Sequence, residues 1–291
     1  MKPLIGVALF ILVALIKPAI AAPLSGMTDF LKQQEQQLNA RIGMAVVNAQ
    51  GEMMFGYRQD ERFPLTSTFK VLACAALLDK LQQTGGSLDE HVTIKPSELL
   101  DYAPITKHYL APATLSLRML CAAAVSYSDN TAGNRILAYL GGPEAITHYM
   151  RRMGDEVTRL DRVEPTLNEA TPGDARDTSS PAKMAAGLQK ILTSSSLSPA
   201  YRETLTTWMR EDKVGDALLR AALPTDWAIA DKTGAGGHGS RAIIAAVYPP
   251  KQPPFYVAMY ITQTIAPMKT ADATIAATGK RLFASLSEAS R

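Results

Sequence analysis

Apolar positions change their period along the chain, and the changes divide it into elements. Between residues 28 and 39, Phe30, Leu31 and Leu38 stand among glutamines and charges, the pattern of a surface helix that buries one stripe. Strand-like runs follow at 42–47 and 53–57, and the connector Asn48-Ala49-Gln50-Gly51 suits a hairpin turn. From Phe69 onward the helical projection is apolar all round. Phe69, Leu72, Ala73, Ala76, Leu77 and Leu81 share one face, while Val71, Cys74, Ala75 and Leu78 fill the other. A helix of that kind belongs at the centre of its domain, and Gly85-Gly86 ends it. Further helices are expected around 115–124, 131–140, 144–153 and 181–192. Strand-like runs at 227–232, 241–248 and 255–262 precede a last helix over 270–286. Strands at both ends with helices between them imply a discontinuous sheet domain, residues 22–65 and 210–291, around an inserted helical domain, residues 66–209.

Two segments follow neither period. Residues 159–178 contain Pro165, Pro172 and Gly173 and are too long for a casual connector; ordered loops of this length are usually functional. Residues 1–21 read as a signal peptide, with Lys2, an apolar run from Leu4 to Ile16 and the small-x-small cleavage site Ala19-Ile20-Ala21. The run stops at Lys17-Pro18, short of the roughly 18 to 20 apolar residues a spanning helix needs.

Composition narrows the partners. The 291 residues, 47% hydrophobic and 20% charged, have ordinary soluble composition and enough length for about two domains. Loss of Lys2 and Lys17 with the leader takes 30 basic residues to 28 against 27 acidic, and the net charge from +3 to +1. A nearly neutral exported chain is no nucleic-acid binder, and its partner is expected to be a small molecule or a wall component. His91, His108, His148 and His238 lie far apart with no cysteine at ligand spacing, which argues against a metal hydrolase. Cys74 and Cys121 are too few for a disulfide-dense scaffold.

Candidate chemistry begins at Ser67-Thr68-Phe69-Lys70. Its i, i+3 spacing puts a hydroxyl and an amine on one helical face, and free N–H groups at a helix start favour an anion forming beside Ser67. Ser-x-x-Lys alone is weak, since Ser180-Pro181-Ala182-Lys183 repeats it where Ser180 is better explained as a helix cap before Pro181. Ser128-Asp129-Asn130 and Lys232-Thr233-Gly234 strengthen it. Taken singly, Ser128 could be a plain N-cap and Lys232 a solvated lysine ending a strand. The three motifs in order form the signature of class A β-lactamases and penicillin-binding proteins.

From roughly Asp29 to the C-terminus the chain resembles class A serine β-lactamases. The resemblance takes in Tyr127-Ser128-Asp129-Asn130-Thr131-Ala132, Arg159-Leu160-Asp161-Arg162-Val163-Glu164-Pro165-Thr166-Leu167-Asn168 and Lys232-Thr233-Gly234-Ala235-Gly236. It implies an α+β fold, a five-stranded antiparallel sheet flanked by helices plus an all-helical insertion, with the active site in the cleft between them. The implied activity is hydrolysis of the β-lactam amide of penicillins and at least some cephalosporins through a Ser67 acyl-enzyme, giving antibiotic resistance. No metal or organic cofactor is implied, and the enzyme would be a periplasmic or secreted monomer. A penicillin-binding D,D-peptidase or a β-lactam sensor domain are the alternatives. Glu164 and Asn168 favour the hydrolase, because releasing the acyl group needs a base to activate water.

Residue by residue, the resemblance makes Ser67 the nucleophile and gives the oxyanion to the Ser67 and Ala235 N–H groups. Ser128 carries a proton to the departing ring nitrogen, and Lys70 keeps the proton network connected. Asn130 should hold the substrate side-chain amide, while Lys232, Thr233 and Arg241 face its carboxylate, with Gly234 between them. Tyr102 is expected as a cleft wall. Cys74 and Cys121 should pair, Arg162 and Asp177 should close the neck of the long loop, and the Glu164-Pro165 bond should be cis.

Overall fold

The computed structural model describes Leu24 and residues 26–288, so the leader expected over residues 1–21 lies outside them. Helix α1 (Met27–Leu38) buries Met27, Leu31 and Leu38 along one stripe. Strands β1 (Arg41–Val47) and β2 (Met53–Tyr57) form the expected hairpin, and β3 (Phe63–Pro64) leads toward α2 (Phe69–Thr84). Helices α3 (Leu117–Ser126), α4 (Asn130–Leu140), α5 (Glu144–Arg152), α6 (Pro181–Thr193) and α7 (Pro199–Arg210) follow. Two small ladders join β4 (His91–Thr93) to β5 (Thr114–Ser116) and β3 to β6 (Thr178–Ser179). The chain returns through β7 (Ala228–Gly236), β8 (Ser240–Tyr248), β9 (Phe255–Thr262) and α8 (Met268–Glu288).

The five long strands make one antiparallel sheet in the order β2-β1-β9-β8-β7, with Ala45 opposite Ala258 and Ala235 opposite Arg241. Period-two alternation splits its side chains between two cores. Met44, Val46, Ile243, Val257 and Met259 pack with Leu31 of α1 and with Ile275, Leu282 and Phe283 of α8. Ala45, Ala246 and Ala258 face the other way, and these small side chains let Met184, Ala185 and Leu188 of α6 lie close. Helix α2 is buried on every side within this second core, as its all-round apolar sequence requires. Each of its buried leucines contributes about 1.5–3 kcal/mol of transfer free energy. Cys74 and Cys121 join α2 to α3 as a disulfide, their Cα atoms 5.8 Å apart. Closing that loop of 47 residues is worth about 4 kcal/mol in the chain-entropy account.

Three elements differ from the sequence expectation. Leu115 and Ser116, expected as the start of a helix, belong to β5 and pair with β4, and the helix begins only after Ser116, which caps α3 with its Oγ accepting the Met119 N–H at 3.2 Å. Helix α7 was not expected, although Ser198 caps it, Pro199 opens it, and Leu205, Trp208 and Met209 form its buried stripe. Strand β7 runs four residues past 232, so Lys232 lies inside a ladder with β8 and not at a strand end.

Candidate active site

Ser67 lies in a single 3-10 turn, Thr66–Thr68, that leads into α2, and Lys70 stands one turn further on. Their spacing brings Lys70 Nζ to 3.1 Å from Ser67 Oγ. The same Nζ meets the Ser128 carbonyl at 2.7 Å, Asn130 Oδ1 at 2.6 Å and Glu164 Oε1 at 3.2 Å. Four oxygens thus surround an ammonium with three protons to donate. Burial pushes the Lys70 amine below its ordinary range, against the opposing charges of Glu164 and Asp129. The amine and the hydroxyl are thus placed to exchange a proton. Backbone strain is concentrated here as well: Thr66 and Ser128 are non-glycine residues at φ 44° and 59°.

The N-cap of α4 is Asp129, not Ser128. Asp129 accepts the Ala132 N–H at 2.9 Å and also the N–H groups of Ile105 and Thr106, at 3.0 and 2.9 Å. It thereby ties the 101–108 segment to the start of α4. The Asn130 N–H donates to the Tyr102 carbonyl at 2.9 Å, and Tyr102 is 47% exposed at the rim. With the cap supplied by its neighbour, Ser128 turns its hydroxyl to Lys232, whose Nζ donates to Oγ at 3.0 Å. Ser128 stands between two lysines.

Lys232 is fully buried, and burial brings its amine down to about 7; Asp212 and Asp231 oppose that shift while Lys70 and Arg241 add to it. Beyond Thr233, also buried, the strand passes over the Ser67 turn. A Cβ on Gly234 would lie 2.0 Å from Thr66 Oγ1 and 3.1 Å from the Ser67 nitrogen, so the approach requires glycine. Ala235 follows, paired with Arg241. Arg241 is held by Asp272 of α8, its Nε donating at 2.6 Å, and its Nη1 donates to the Gly234 carbonyl at 3.2 Å.

The 159–178 loop is pinned at its neck and at its tip. Asp177 accepts the N–H groups of Asp161 and Arg162 at 2.7 and 2.9 Å and the Arg162 Nε at 2.5 Å. Asn134, on α4, clasps Glu164 by both backbone groups, accepting its N–H at 2.8 Å and donating to its carbonyl at 2.9 Å. The Glu164-Pro165 bond is cis. Asn168 Nδ2 donates to Glu164 Oε2, while Asn168 Oδ1 is a buried acceptor without a protein donor. The Asn168 carbonyl accepts the Gly237 N–H at 2.8 Å, and a Cβ on Gly237 would lie 2.3 Å from the Glu169 carbonyl oxygen. The loop therefore closes onto the β7–β8 turn.

Ser67, Lys70, Ser128, Asn130, Glu164, Asn168 and Lys232 form one connected cluster, edged by Tyr102, Thr233, Gly234, Ala235 and Arg241. Sequence reasoning missed Asn134, Asp129, Asp212 and Asp272. The position of Asp129 one residue before α4 was a readable cap signal, whereas Asn134 and Asp272 act through contacts that only the fold brings together. Ser180 caps α6, its Oγ accepting the Lys183 N–H at 3.4 Å, and takes no part in the cluster. Among the described residues, no group of three or more His, Cys, Asp or Glu is placed to hold a metal ion.

A profile of the "Beta-lactamase enzyme family" matches residues 27–286. The chain is 48% identical over 277 residues to beta-lactamase AER-1 of Aeromonas hydrophila, an alignment covering 94% of this chain and 91% of that one. An ancestral (GNCA) class A beta-lactamase superposes with a TM-score of 0.86 at 45% identity, covering 89% of this chain and 99% of the other. The chromosome-encoded beta-lactamase of Vibrio parahaemolyticus gives 0.87 at 38% identity, covering 90% and 99%. With most of its length matched and the Ser67, Ser128 and Lys232 motifs meeting in one cleft, the chain belongs to the beta-lactamase enzyme family, among the class A serine β-lactamases.

Proposed function

We propose that this protein hydrolyses the β-lactam amide of penicillins and at least some cephalosporins, conferring resistance to them. The observation that carries this reading is the continuous contact from Ser67 through Lys70 to Glu164 and Asn168, which joins a nucleophile to a carboxylate able to activate water. Ser67 Oγ attacks the ring carbonyl. Lys70, in hydrogen-bond reach, first hands one of its protons to Glu164 and so can take the one from Ser67. Glu164 returns its proton to Lys70 once the ring nitrogen has been protonated, which leaves the carboxylate free for the second step. The Ser67 and Ala235 N–H groups receive the oxyanion. As the ring C–N bond breaks, Ser128 protonates the nitrogen and regains a proton from the Lys70 and Lys232 side. Glu164 and the Asn168 Oδ1 acceptor then orient a water, Glu164 takes its proton as the water attacks the ester carbonyl, and Lys70 protonates the departing Ser67 oxygen and recovers its own proton from Glu164. Lys232, Thr233 and Arg241 bind the substrate carboxylate, Asn130 its side-chain amide, and Tyr102 forms a wall.

Export follows from the leader-like residues 1–21, the near-neutral mature charge suits a small-molecule partner and not a nucleic-acid complex, and the enzyme acts as a monomer, as its family resemblance implies. The native protein mixed with a penicillin should give rapid multiple turnover, and Ser67→Ala should abolish both turnover and the covalent adduct seen by mass spectrometry. A D,D-peptidase would instead stay acylated by the drug. A native adduct that persists while turnover is slow would overturn the hydrolase reading.

A further inference from the structure

The 159–178 loop is fastened at its neck by Asp177, at Glu164 by Asn134 and at Asn168 by Gly237, and between these points it spans a hollow. The hollow encloses about 360 Å³ between residues 170–176 of the loop and the ends of β1, β3 and β9. No residue of the Ser67 cluster lines it.

Its walls carry an excess of positive charge. Four arginines, Arg41, Arg62, Arg162 and Arg176, line it against two acidic residues, Glu61 and Asp174. Glu61 pairs with Arg41 at 3.0 Å and Asp174 with Arg176 at 2.7 Å, while Arg162 is held by Asp177 and Glu169, which do not line the hollow. Arg62 is left over. Its Nη1 donates to two neutral oxygens, the Val157 carbonyl at 2.8 Å and Thr178 Oγ1 at 3.0 Å, and among the described residues no carboxylate stands at ion-pair distance from it. Arg41 Nε is in addition a buried donor without a protein acceptor.

A guanidinium lacking an acid partner in a recess, where screening is weaker than in open water, attracts an anion, and its fork of donors matches a carboxylate. The other walls include the apolar Pro64, Leu167 and Pro172. The volume equals that of about twelve waters at roughly 30 Å³ each, more than one inorganic oxyanion fills, so an organic body is expected between the acid groups. We propose that this hollow is a second ligand site, for a small organic polycarboxylate gripped by Arg62 on the body and Arg176 on the loop, and that the ligand fastens the loop to the sheet. Asp174 engages Nε and Nη2 of Arg176 and leaves Nη1 for the ligand. Arg162 and Leu167 line the hollow on either side of Glu164 in sequence, so an occupant stiffens the segment that carries it.

Citrate is the probe. At constant ionic strength, calorimetric titration of the native protein should show one saturable site. Citrate at ten times its Kd should slow hydrogen exchange of the loop amides by about tenfold, because only the closed loop binds it. Arg62→Gln and Arg176→Ala should each weaken citrate by about tenfold or more, the equivalent of a charge-assisted hydrogen bond. Asp174→Asn should tighten it, since an opposing charge is removed. If Arg62→Gln fails to fold, the two loop variants, which have opposite signs, still decide the matter. Arg241→Ser should bind citrate like the native protein; loss of binding there would place the ligand in the catalytic cleft and overturn the proposal. Absence of a saturable site, or equal affinity in Arg176→Ala and the native protein, would overturn it as well. Inorganic phosphate binding as tightly as citrate would overturn the assignment to an organic ligand. None of these readings uses turnover, so they stand apart from the hydrolase reading.

Discussion

Lys70 Nζ and Glu164 Oε1 stand 3.2 Å apart, and neither side chain is exposed. A buried ion pair is tolerated only when each partner satisfies the other, so the charge state of one is bound to that of the other. Lys70 touches both Ser67, the proposed nucleophile of ring opening, and Glu164, the proposed base of acyl release. Lys70→Ala should slow acylation by about 10² to 10⁴, the usual contribution of a positioned base. Stopped-flow measurement of ring opening checks this; acylation at the native rate would transfer the role to Glu164 acting through water.

The loop that delivers Glu164 depends on its neck. In Asp177→Asn the remaining oxygen can still accept the two backbone N–H groups, but the new amide meets the Arg162 guanidinium donor against donor. Loss of the charge-assisted bond should destabilise by about 1.5–3 kcal/mol. Displacement of Glu164 should lower kcat on a penicillin by about tenfold or more, since small misplacements of catalytic groups are expensive. Thermal unfolding and kinetics on a penicillin and a bulky cephalosporin give the two readings, and unchanged turnover on both substrates would reduce the neck to a structural feature.

Legibility followed the range of the interactions. The apolar wrap of α2, the alternation in β1, β8 and β9, and the three motifs are local patterns, and they appear in the fold as the sequence suggests. Lys232 shows where local reading stops. Its segment becomes glycine-containing after Thr233, which looks like a strand ending, yet pairing with β8 carries the strand to Gly236 and buries the lysine. Asp272 is 31 residues from Arg241, and Asn134 is 30 from Glu164; neither pairing leaves a trace in spacing.

Arg241 is positioned by the protein itself, because Asp272 holds Nε and the Gly234 carbonyl takes Nη1. A guanidinium fixed in this way presents its remaining donors at little entropic cost. Arg241→Ser should raise the KM for penicillins by about 10- to 100-fold, the equivalent of a charge-assisted hydrogen bond, and change kcat much less, because the contact is made in ground and transition states alike. Steady-state kinetics decide the point, and an unchanged KM would assign the substrate carboxylate to Lys232 and Thr233 alone.

In the proposed mechanism Glu164 separates hydrolysis from simple acylation. Its carboxylate is fixed by Asn168 at the side chain and by Asn134 at the backbone, so it is held in place before any acyl group forms. Glu164→Ala removes the proposed water-activating carboxylate while leaving Ser67, Lys70 and Ser128 in contact. Ring opening should continue, slowed far less than acyl release, and the adduct should accumulate. With release slowed by about 10² to 10⁴, the intermediate persists long enough to be weighed. Mass spectrometry of the variant with a penicillin should show one whole-drug addition on the peptide containing Ser67. Equal adduct lifetimes in the native and Glu164→Ala proteins would remove Glu164 from the release step, whereas fast native turnover with trapping in the variant requires it there.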